Sequence, residues 1–145
     1  MRIRPYRDTD WNEWLRMTVA LFPEYRAEDM AVGMRDHRRR ADAEVFIAER
    51  EDGSVAGFVE VGARGYADGC ETAPVGYVEA WYVDPDVRRT GIGRALLEAG
   101  ENWARNRGYR EMASDAEIGN DVSLSAHQRS GYQVVGRVVQ FRKAL

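Results

Sequence analysis

A strand followed at once by a glycine-containing turn and an amphipathic helix is the feature that most restricts how this chain folds. The segment PVGYVEAWYVDP, residues 74–85, is rich in β-branched and aromatic residues, which favour a strand. In the next segment, RRTGIGRALLEAG, apolar residues recur at helical spacing after two glycines. Glycines let a backbone approach a ligand closely, and the first amides of a helix attract anions. The order predicts an anion site, to which Arg88, Arg89 and Arg94 add positive charge.

The spacing of these glycines narrows the class of anion. GIGRAL lacks the third glycine of the dinucleotide fingerprint, and no GK[ST] follows as a P-loop requires. NAD and ATP therefore fit poorly. Taken alone, so short a pattern fits a helix start with surface arginines equally well, so the neighbouring segments must decide.

The whole chain, residues 1–145, predicts a single α/β domain. Its 145 residues and 44% hydrophobic content suffice for one core and leave no room for a second. The first half predicts a strand in MRIRPYR and then a helix with Trp11, Trp14, Leu15 and Val19 on one face. Asp8 to Asp10 offer caps for this helix, and Pro23 ends or bends it. A second helix in AEDMAVGMRDHRRR and a hairpin of EVFIAER and VAGFVEV follow. The second half predicts the strand at 74–85 and then a helix that buries Ile92, Leu96, Ala99 and Trp103 and stops near Gly108. A strand in REMASDAE and a helix over Val122 to Arg129 follow. The last segment, YQVVGRVVQFRKA, predicts one or two strands with Gly136 as a bulge. This order indicates a sandwich around a mostly antiparallel sheet.

Composition excludes several classes of function. A lone cysteine, Cys70, cannot form an internal disulfide, and with only His37 and His127 besides, no zinc-ligand spacing occurs, so we expect no metal. Acidic residues flank the basic run at 35–40 and the net charge is -3, which favours a solvated helix end over nucleic-acid binding. The N-terminus lacks an apolar signal core and no apolar run is long enough for a membrane span, so we expect a cytoplasmic protein without a membrane partner.

The glycine turn resembles the signature [R/Q]-x-x-G-x-[G/A] of the GNAT acyltransferase superfamily, matched by Arg88, Gly91 and Gly93. The strand that precedes it and the later segment SAHQRSGY, which is similar to the family's [Y]-x-x-x-G-[F/Y], follow in the family's order. The resemblance implies a GNAT-type α/β (α+β) fold with a mixed, mostly antiparallel sheet and helices on both faces. It also implies that the turn holds the pyrophosphate of acetyl-CoA. The implied cofactor-binding residues are Ala80, Trp81, Tyr82, Val83, Arg88, Arg89, Thr90, Gly91, Ile92, Gly93, Arg94, Asn120 and His127.

His127 stands where the family usually carries a tyrosine that protonates the departing CoA thiolate. An imidazole can donate that proton near neutral pH. A polar helix residue satisfied by its neighbours fits the same sequence, so both interpretations of His127 stay open.

A narrower resemblance, to the small chromosomal-type aminoglycoside 6'-N-acetyltransferases, covers almost the whole chain. The matching stretches are LFPEY, RGYADGC, TAPVGYVEAWYVDP, RRTGIG, REMASD, HQRSGY and RVVQFRK. The sequence departs from the family with Phe22 for a tryptophan, Tyr25 for a histidine and Gly136 for an acidic residue. The resemblance implies that Phe22, Tyr25, Tyr66, Glu79 and Asp115 bind substrate, and that relatives form dimers to which the apolar C-terminal segment contributes.

The carboxylates support a polycationic substrate if they cluster near the thioester. Glu79 lies within an apolar strand, where a carboxylate rarely stays without a partner, and Asp115 ends a strand near the cofactor region. Asp115 also fits a cap or turn in SDAEIGND. The loop acids Asp68, Glu71, Glu117 and Asp121 are typical of solvated surface.

The expected reaction is direct attack of an amine on acetyl-CoA in a ternary complex, with Glu79, Asp115 and His127 as catalytic candidates. A backbone amide between Ala80 and Tyr82 is expected to polarise the carbonyl. Two alternatives remain: a GNAT enzyme that acetylates another cation, such as a polyamine or a basic protein tail, and a CoA-binding module without transferase activity. A covalent intermediate is not required, so Cys70 is interpreted as a loop thiol.

Overall fold

The computed structural model describes residues 1–145 and shows five strands in the spatial order β1-β2-β3-β4-β5. Successive strands pair antiparallel from β1 to β4, whereas β4 and β5 pair in parallel. The mixed, mostly antiparallel sheet predicted from the order of elements is therefore confirmed. The strands are β1 (Arg2–Pro5), β2 (Ala43–Glu49), β3 (Val55–Arg64), β4 (Val75–Val83) and β5 (Met112–Ser114).

Helices cover both faces of the sheet, as predicted, because β3 and β4 carry apolar side chains on both sides. Phe58 of β3 packs on one face with the fully buried Trp14 of α1, and the next residue, Val59, packs on the other face with Leu96 and Leu97 of α3. The helices are α1 (Trp11–Leu21), α2 (Ala27–Arg39), α3 (Ile92–Asn106) and α4 (Asp121–Arg129).

The start of α1 differs from the predicted cap. Asp8–Asp10 forms a 3₁₀ turn, and no side chain caps α1. The Asp10 carboxylate instead accepts hydrogen bonds from Arg4 at 2.7 and 2.9 Å, and this buried ion pair lowers the pKa of Asp10. The pair ties β1 to the helix, and a carboxylate engaged there is not free to cap α1. Leu15 and Val19 lie at the margin of the buried face of α1, which is centred on Trp14, Met17 and Thr18.

The buried face of α3 is also displaced from the prediction. Leu96 is buried as expected, but Ile92, Ala99 and Trp103 are only partly buried. Leu97, Gly100 and Ala104 take their place in the core. A Cβ at Gly100 would lie 2.7 Å from Val61 Cγ1, so the glycine lets the helix approach the sheet closely.

A bulge interrupts the ladder between β3 and β4. Glu60 pairs with Ala80 and Val61 pairs with Val78, which leaves Glu79 without a partner across the ladder. Bulges bend the strand and re-aim side chains, often beside active sites. This bulge brings Glu79 of β4 and Arg64 of β3 together on the α1 and α2 face of the sheet.

The prediction of strands after α4 is wrong. No helix or strand follows Arg129, and REMASDAE contributes only Met112–Ser114 to the sheet. The β-branched pattern of the C-terminal segment is typical of a strand, but a strand also needs a neighbour with which to pair, and none lies beside it. Gly136 therefore forms no bulge. The exposed apolar residues of this segment are Val134, Val135, Val138, Val139, Phe141 and Leu145.

The longest helix, α3, has 15 residues, and neither it nor the other three is long and apolar enough to cross a membrane. No group of three His, Cys, Asp or Glu side chains is arranged to hold a metal ion.

Candidate active site

The middle of the sheet contains an open strand edge. β4 pairs with β5 only from Gly76 to Val78 and then continues alone to Val83. Over Glu79–Val83 the backbone on that side faces no strand, so its polar groups are available to a ligand. This stretch contains the backbone amides between Ala80 and Tyr82 that the sequence analysis expected to polarise the carbonyl.

The predicted anion site lies directly beyond this open edge. Arg89 and Gly91 both have left-handed backbone conformations, with φ of 62° and 91°, and Gly91 forms the N-cap of α3. The first helical bond runs from the amide of Ala95 to the carbonyl of Gly91, and no backbone amide from Arg89 to Arg94 has an acceptor within the chain. Six neighbouring free amides at a helix N-terminus form a suitable cradle for a pyrophosphate.

Side chains of the turn and of β4 donate hydrogen bonds to backbone carbonyls and so fix the conformation of the turn. Arg88 Nε donates to the Val83 carbonyl at 2.8 Å, and the Thr90 hydroxyl donates to the Val87 carbonyl. Trp81 Nε1 donates to the Gly93 carbonyl at 3.1 Å, and a Cβ at Gly93 would lie 3.1 Å from the Trp81 ring. The turn, the open edge and α3 are therefore held together. Arg94 extends along α3 to Glu98.

His127 lies at the end of the β4–β5 pairing, packed edge-on between Trp81 and Tyr132. Nδ1 is 2.8 Å from the Ser123 carbonyl, which can only accept, so Nδ1 donates there and Nε2 of the neutral ring accepts from the Ser114 hydroxyl at 2.8 Å. The ring therefore reaches the open edge of β4 and is also fully hydrogen-bonded. Both interpretations made from the sequence, a proton donor and a satisfied helix residue, fit this geometry.

The two predicted carboxylates are connected through a cation and an aromatic ring. Arg64 Nε and Nη2 donate to the Glu79 oxygens at 2.9 and 2.7 Å, and the Arg64 guanidinium lies 3.4 Å from the centre of the Tyr77 ring. The Tyr77 hydroxyl donates to Asp115 Oδ2 at 2.5 Å, and burial together with this carboxylate raises the pKa of the Tyr77 hydroxyl. The structure thus brings Glu79 and Asp115 to one face, and we call Glu79, Arg64, Tyr77 and Asp115 the polar floor.

The other predicted residues are more scattered. Phe22 is half-buried against the core, and the centre of its ring lies 6.4 Å from that of the exposed Tyr25 ring. Tyr66 is exposed on the β3–β4 loop and donates to Asp68. Asn120, predicted to bind cofactor, caps α4 by accepting from the Ser123 amide.

Sequence reasoning missed four members of this region: Glu60, Arg64, Tyr77 and Ser114. The signal for Glu60 was present, because VAGFVEV places a carboxylate in an apolar strand, as the strand with Glu79 does. Glu60 Oε1 accepts from Trp14 Nε1 at 3.0 Å, and burial raises the pKa of the Glu60 carboxyl from 4.5 to about 7. The pairing of Arg64 with Tyr77 depends on strand register and was not predictable from spacing.

Comparison with known proteins gives consistent results. The model of the acetyltransferase (GNAT) family matches residues 9–132. An aminoglycoside N(6')-acetyltransferase type 1 from Klebsiella aerogenes is 39% identical over 99% of this chain and 96% of its own length.

Two solved structures show the same fold. The apo aminoglycoside antibiotic 6'-N-acetyltransferase AAC(6')-IG from Acinetobacter haemolyticus superposes with a TM-score of 0.92 at 30% identity, covering 100% of this chain and 99% of that one. AAC(6')-Iy, solved with the bisubstrate analogue CoA-S-monomethyl-acetylneamine, superposes with a TM-score of 0.91 at 30% identity, covering 99% and 98%.

Proposed function

Because this chain belongs to the acetyltransferase (GNAT) family, we propose that it transfers the acetyl group of acetyl-CoA to the 6'-amine of aminoglycosides and so confers resistance. Attack is direct, in a ternary complex. One observation carries the proposal: the open edge of β4, Glu79–Val83, lies between a cradle of free amides and a polar floor with two carboxylates. A thioester and a polycation are the substrates that such an arrangement suits.

The turn from Arg88 to Arg94 is the part that would hold acetyl-CoA. Its free amides and the left-handed Gly91 fit a pyrophosphate. Acetyl-CoA supplies the acetyl group as a reactive thioester. The unpaired edge of β4 supplies backbone amides, between Ala80 and Tyr82, to the carbonyl oxygen on which negative charge develops.

The polar floor is the part that would receive the aminoglycoside. Glu79 and Asp115 offer negative charge to ammonium groups, Phe22 packs on the core of the same face with Tyr25 beside it, and Tyr66 lies on the loop that follows β3. An ammonium group must lose a proton before it attacks, so a carboxylate of this face accepts that proton. On the other side of the edge, His127 in its protonated form carries a proton on Nε2, beside the Ser114 hydroxyl, and donates that proton to the departing sulfur.

We include a homodimer in this proposal. Val134, Val135, Val138, Val139 and Phe141 are exposed after α4, and β5 is the edge strand at that side of the sheet. Exposed apolar segments and unpaired strand edges promote association, and a second copy of this chain offers both features reciprocally. Val138→Asp should convert a dimer into a monomer in light scattering. A parent protein that is monomeric would contradict this part of the proposal.

We also place the protein in the cytoplasm, where acetyl-CoA is available as a co-substrate.

The decisive experiment is thiol release from acetyl-CoA across a panel of amines: kanamycin, tobramycin, a polyamine and a basic peptide. Asp115→Asn and Glu79→Gln should each lower kcat/KM for the aminoglycosides about tenfold, with acetyl-CoA affinity nearly unchanged, because only the negative charge is lost. Efficient transfer to the polyamine or the peptide alone would replace the substrate proposed. Absence of transfer to every amine, with acetyl-CoA still bound, would leave a binding module.

A further inference from the structure

The α1 and α2 face of the sheet carries a third carboxylate beside the open edge. Glu60 of β3 pairs across the ladder with Ala80 of β4, directly next to the bulged Glu79. Its Oε1 accepts from Trp14 Nε1 at 3.0 Å, which fixes the carboxyl against α1.

The three carboxylates of this face differ in the hydrogen bonds that they already accept within the chain. Both oxygens of Glu79 accept from the Arg64 guanidinium. Asp115 is exposed and accepts from the Tyr77 hydroxyl. Glu60 Oε2 has no hydrogen-bond partner within the chain. It is not fully enclosed either, because the only fully enclosed side-chain polar atom without a partner is the Tyr132 hydroxyl. Glu79 alone of the three is paired with a cation, and Glu60 differs from the exposed Asp115 because its uncommitted oxygen lies within the sheet, beside the open edge of β4.

We propose that Glu60 accepts the proton of the reacting ammonium through this free oxygen. The inference rests on the proposed function, because it assigns one step of that acetyl transfer. Glu79 would have to break its bidentate ion pair to accept a proton, whereas Glu60 accepts one without losing a contact.

The step balances as follows. The ammonium gives one proton to the Glu60 carboxylate, and the nitrogen lone pair forms the C–N bond to the acetyl carbon as the C–S bond breaks. The nitrogen then gives up a second proton, and the departing sulfur takes up one proton to leave as a thiol. One net proton reaches solvent when Glu60 ionises again.

The surroundings of Glu60 suit a proton acceptor that works near neutral pH. Burial raises the pKa of Glu60 to about 7, the Trp14 hydrogen bond opposes that rise, and Glu79 adds to it. The other titratable groups of this face include Arg64, which pairs with Glu79, and Tyr77, which donates to Asp115. From α2 and the turn after it come His37, which bonds to the Glu44 carbonyl of β2, and Arg40, which donates to the Ala63 carbonyl of β3. β2 presents the apolar Val45 opposite Glu60.

The test compares three variants of the full chain by thiol release with tobramycin, from about pH 5 to about pH 9. Glu60→Gln preserves shape and can still accept from Trp14, and it should lower kcat about 100-fold and abolish the rise of kcat/KM with pH that Glu60 causes. Trp14→Phe keeps the carboxylate but removes its donor, so the rise should move to higher pH. Glu51→Gln, in the exposed β2–β3 turn, should match the parent.

A second readout does not depend on activity. Carbon-13 NMR of glutamate carboxyls should show one resonance that titrates near neutral pH in the parent and is missing from Glu60→Gln. A Glu60→Gln protein with parental kcat and pH profile would overturn the inference, as would a carboxyl that titrates in the ordinary range. If the parent acetylates only other amines, the proposed substrate fails and the same comparison is made on that amine. If the parent acetylates no amine, both fail.

Discussion

The Arg64 guanidinium lies over the ring of Tyr77, with its central carbon 3.4 Å from the ring centre, while it forms two hydrogen bonds with Glu79. An internal cation thus occupies the floor proposed for the ammonium groups of a substrate. Its side chain remains 42% exposed, so solvent screens the pair and the guanidinium can leave at little cost. Arg64 therefore competes with a cationic substrate for Glu79 and Tyr77.

Removing this competitor should improve substrate binding. Arg64→Met leaves the charge of Glu79 uncompensated and should lower KM for tobramycin about two- to fivefold, the range expected for one exposed ion pair. Arg39→Met is the control, because it changes net charge equally but removes only an exposed pair with Asp36 on α2. Steady-state kinetics at low salt measure both. A higher KM in Arg64→Met alone would mean that Arg64 positions Glu79 instead.

The conformation of Gly91 should be essential for acetyl-CoA. No atom lies within 4 Å of a Cβ built there, so Gly91→Val harms the turn through its φ of 91° and not through a clash. We expect acetyl-CoA to bind about tenfold more weakly or worse, as measured by calorimetry. Gly53 in the β2–β3 turn has a φ of 86° and equally open surroundings, so Gly53→Val should cost stability but spare binding. Equal affinity in both variants would place the cofactor elsewhere.

Substitutions of His127 and Ser114 should show whether the imidazole of His127 is catalytic or structural. If His127 protonates the leaving sulfur, His127→Ala should lower kcat about 100-fold with little change in KM for acetyl-CoA. Ser114→Ala keeps the imidazole and removes only its Nε2 partner, so it should have a smaller effect. Rapid-quench and steady-state rates measure both. Parental kcat in His127→Ala, with a lower melting temperature, would make His127 a link between α4 and β5.

The carboxyl of Glu60 should make stability depend on pH. Its pKa is about 7 in the folded chain and 4.5 when exposed, so above pH 4.5 the unfolded chain gives up this proton first. The free energy of unfolding therefore decreases as the pH rises from 4.5 to 7, and the decrease is complete above pH 7. Glu60→Gln removes the penalty and should gain up to about 3 kcal/mol over the parent at pH 8, with the gain vanishing near pH 4.

Urea denaturation at several pH values measures this difference. Glu51→Gln should run parallel to the parent throughout. A constant offset between Glu60→Gln and the parent would show that Glu60 ionises alike in both states.

The elements that local sequence specifies were predictable. Alternation and β-branching predicted β1 to β4, and helical spacing with glycine and proline boundaries predicted α1 to α4. The glycine turn was predictable because a short contiguous pattern determines it, and the order of elements was enough for the fold class.

The failures share a physical cause. The segment after α4 has the composition of a strand, but pairing is a contact with another part of a chain, and no local pattern specifies whether that partner is present. The face of α3 moved because Gly100 packs against Val61 of β3 and Ala104 against Gly76 of β4, which only the helix–sheet distance reveals.

The predicted carboxylates were found on one face, but the sequence could not show what engages them. Glu79 and Arg64 are 15 residues apart, Tyr77 and Asp115 are 38 apart, and Trp14 and Glu60 are 46 apart. The register of β3 on β4 and the bulge at Glu79 decide those contacts. By itself the sequence determined which residues form strands, turns and helices, because those depend on neighbours along the chain. Tertiary structure alone decided which carboxylate is paired with a cation and which is left free, because charge compensation depends on neighbours in space.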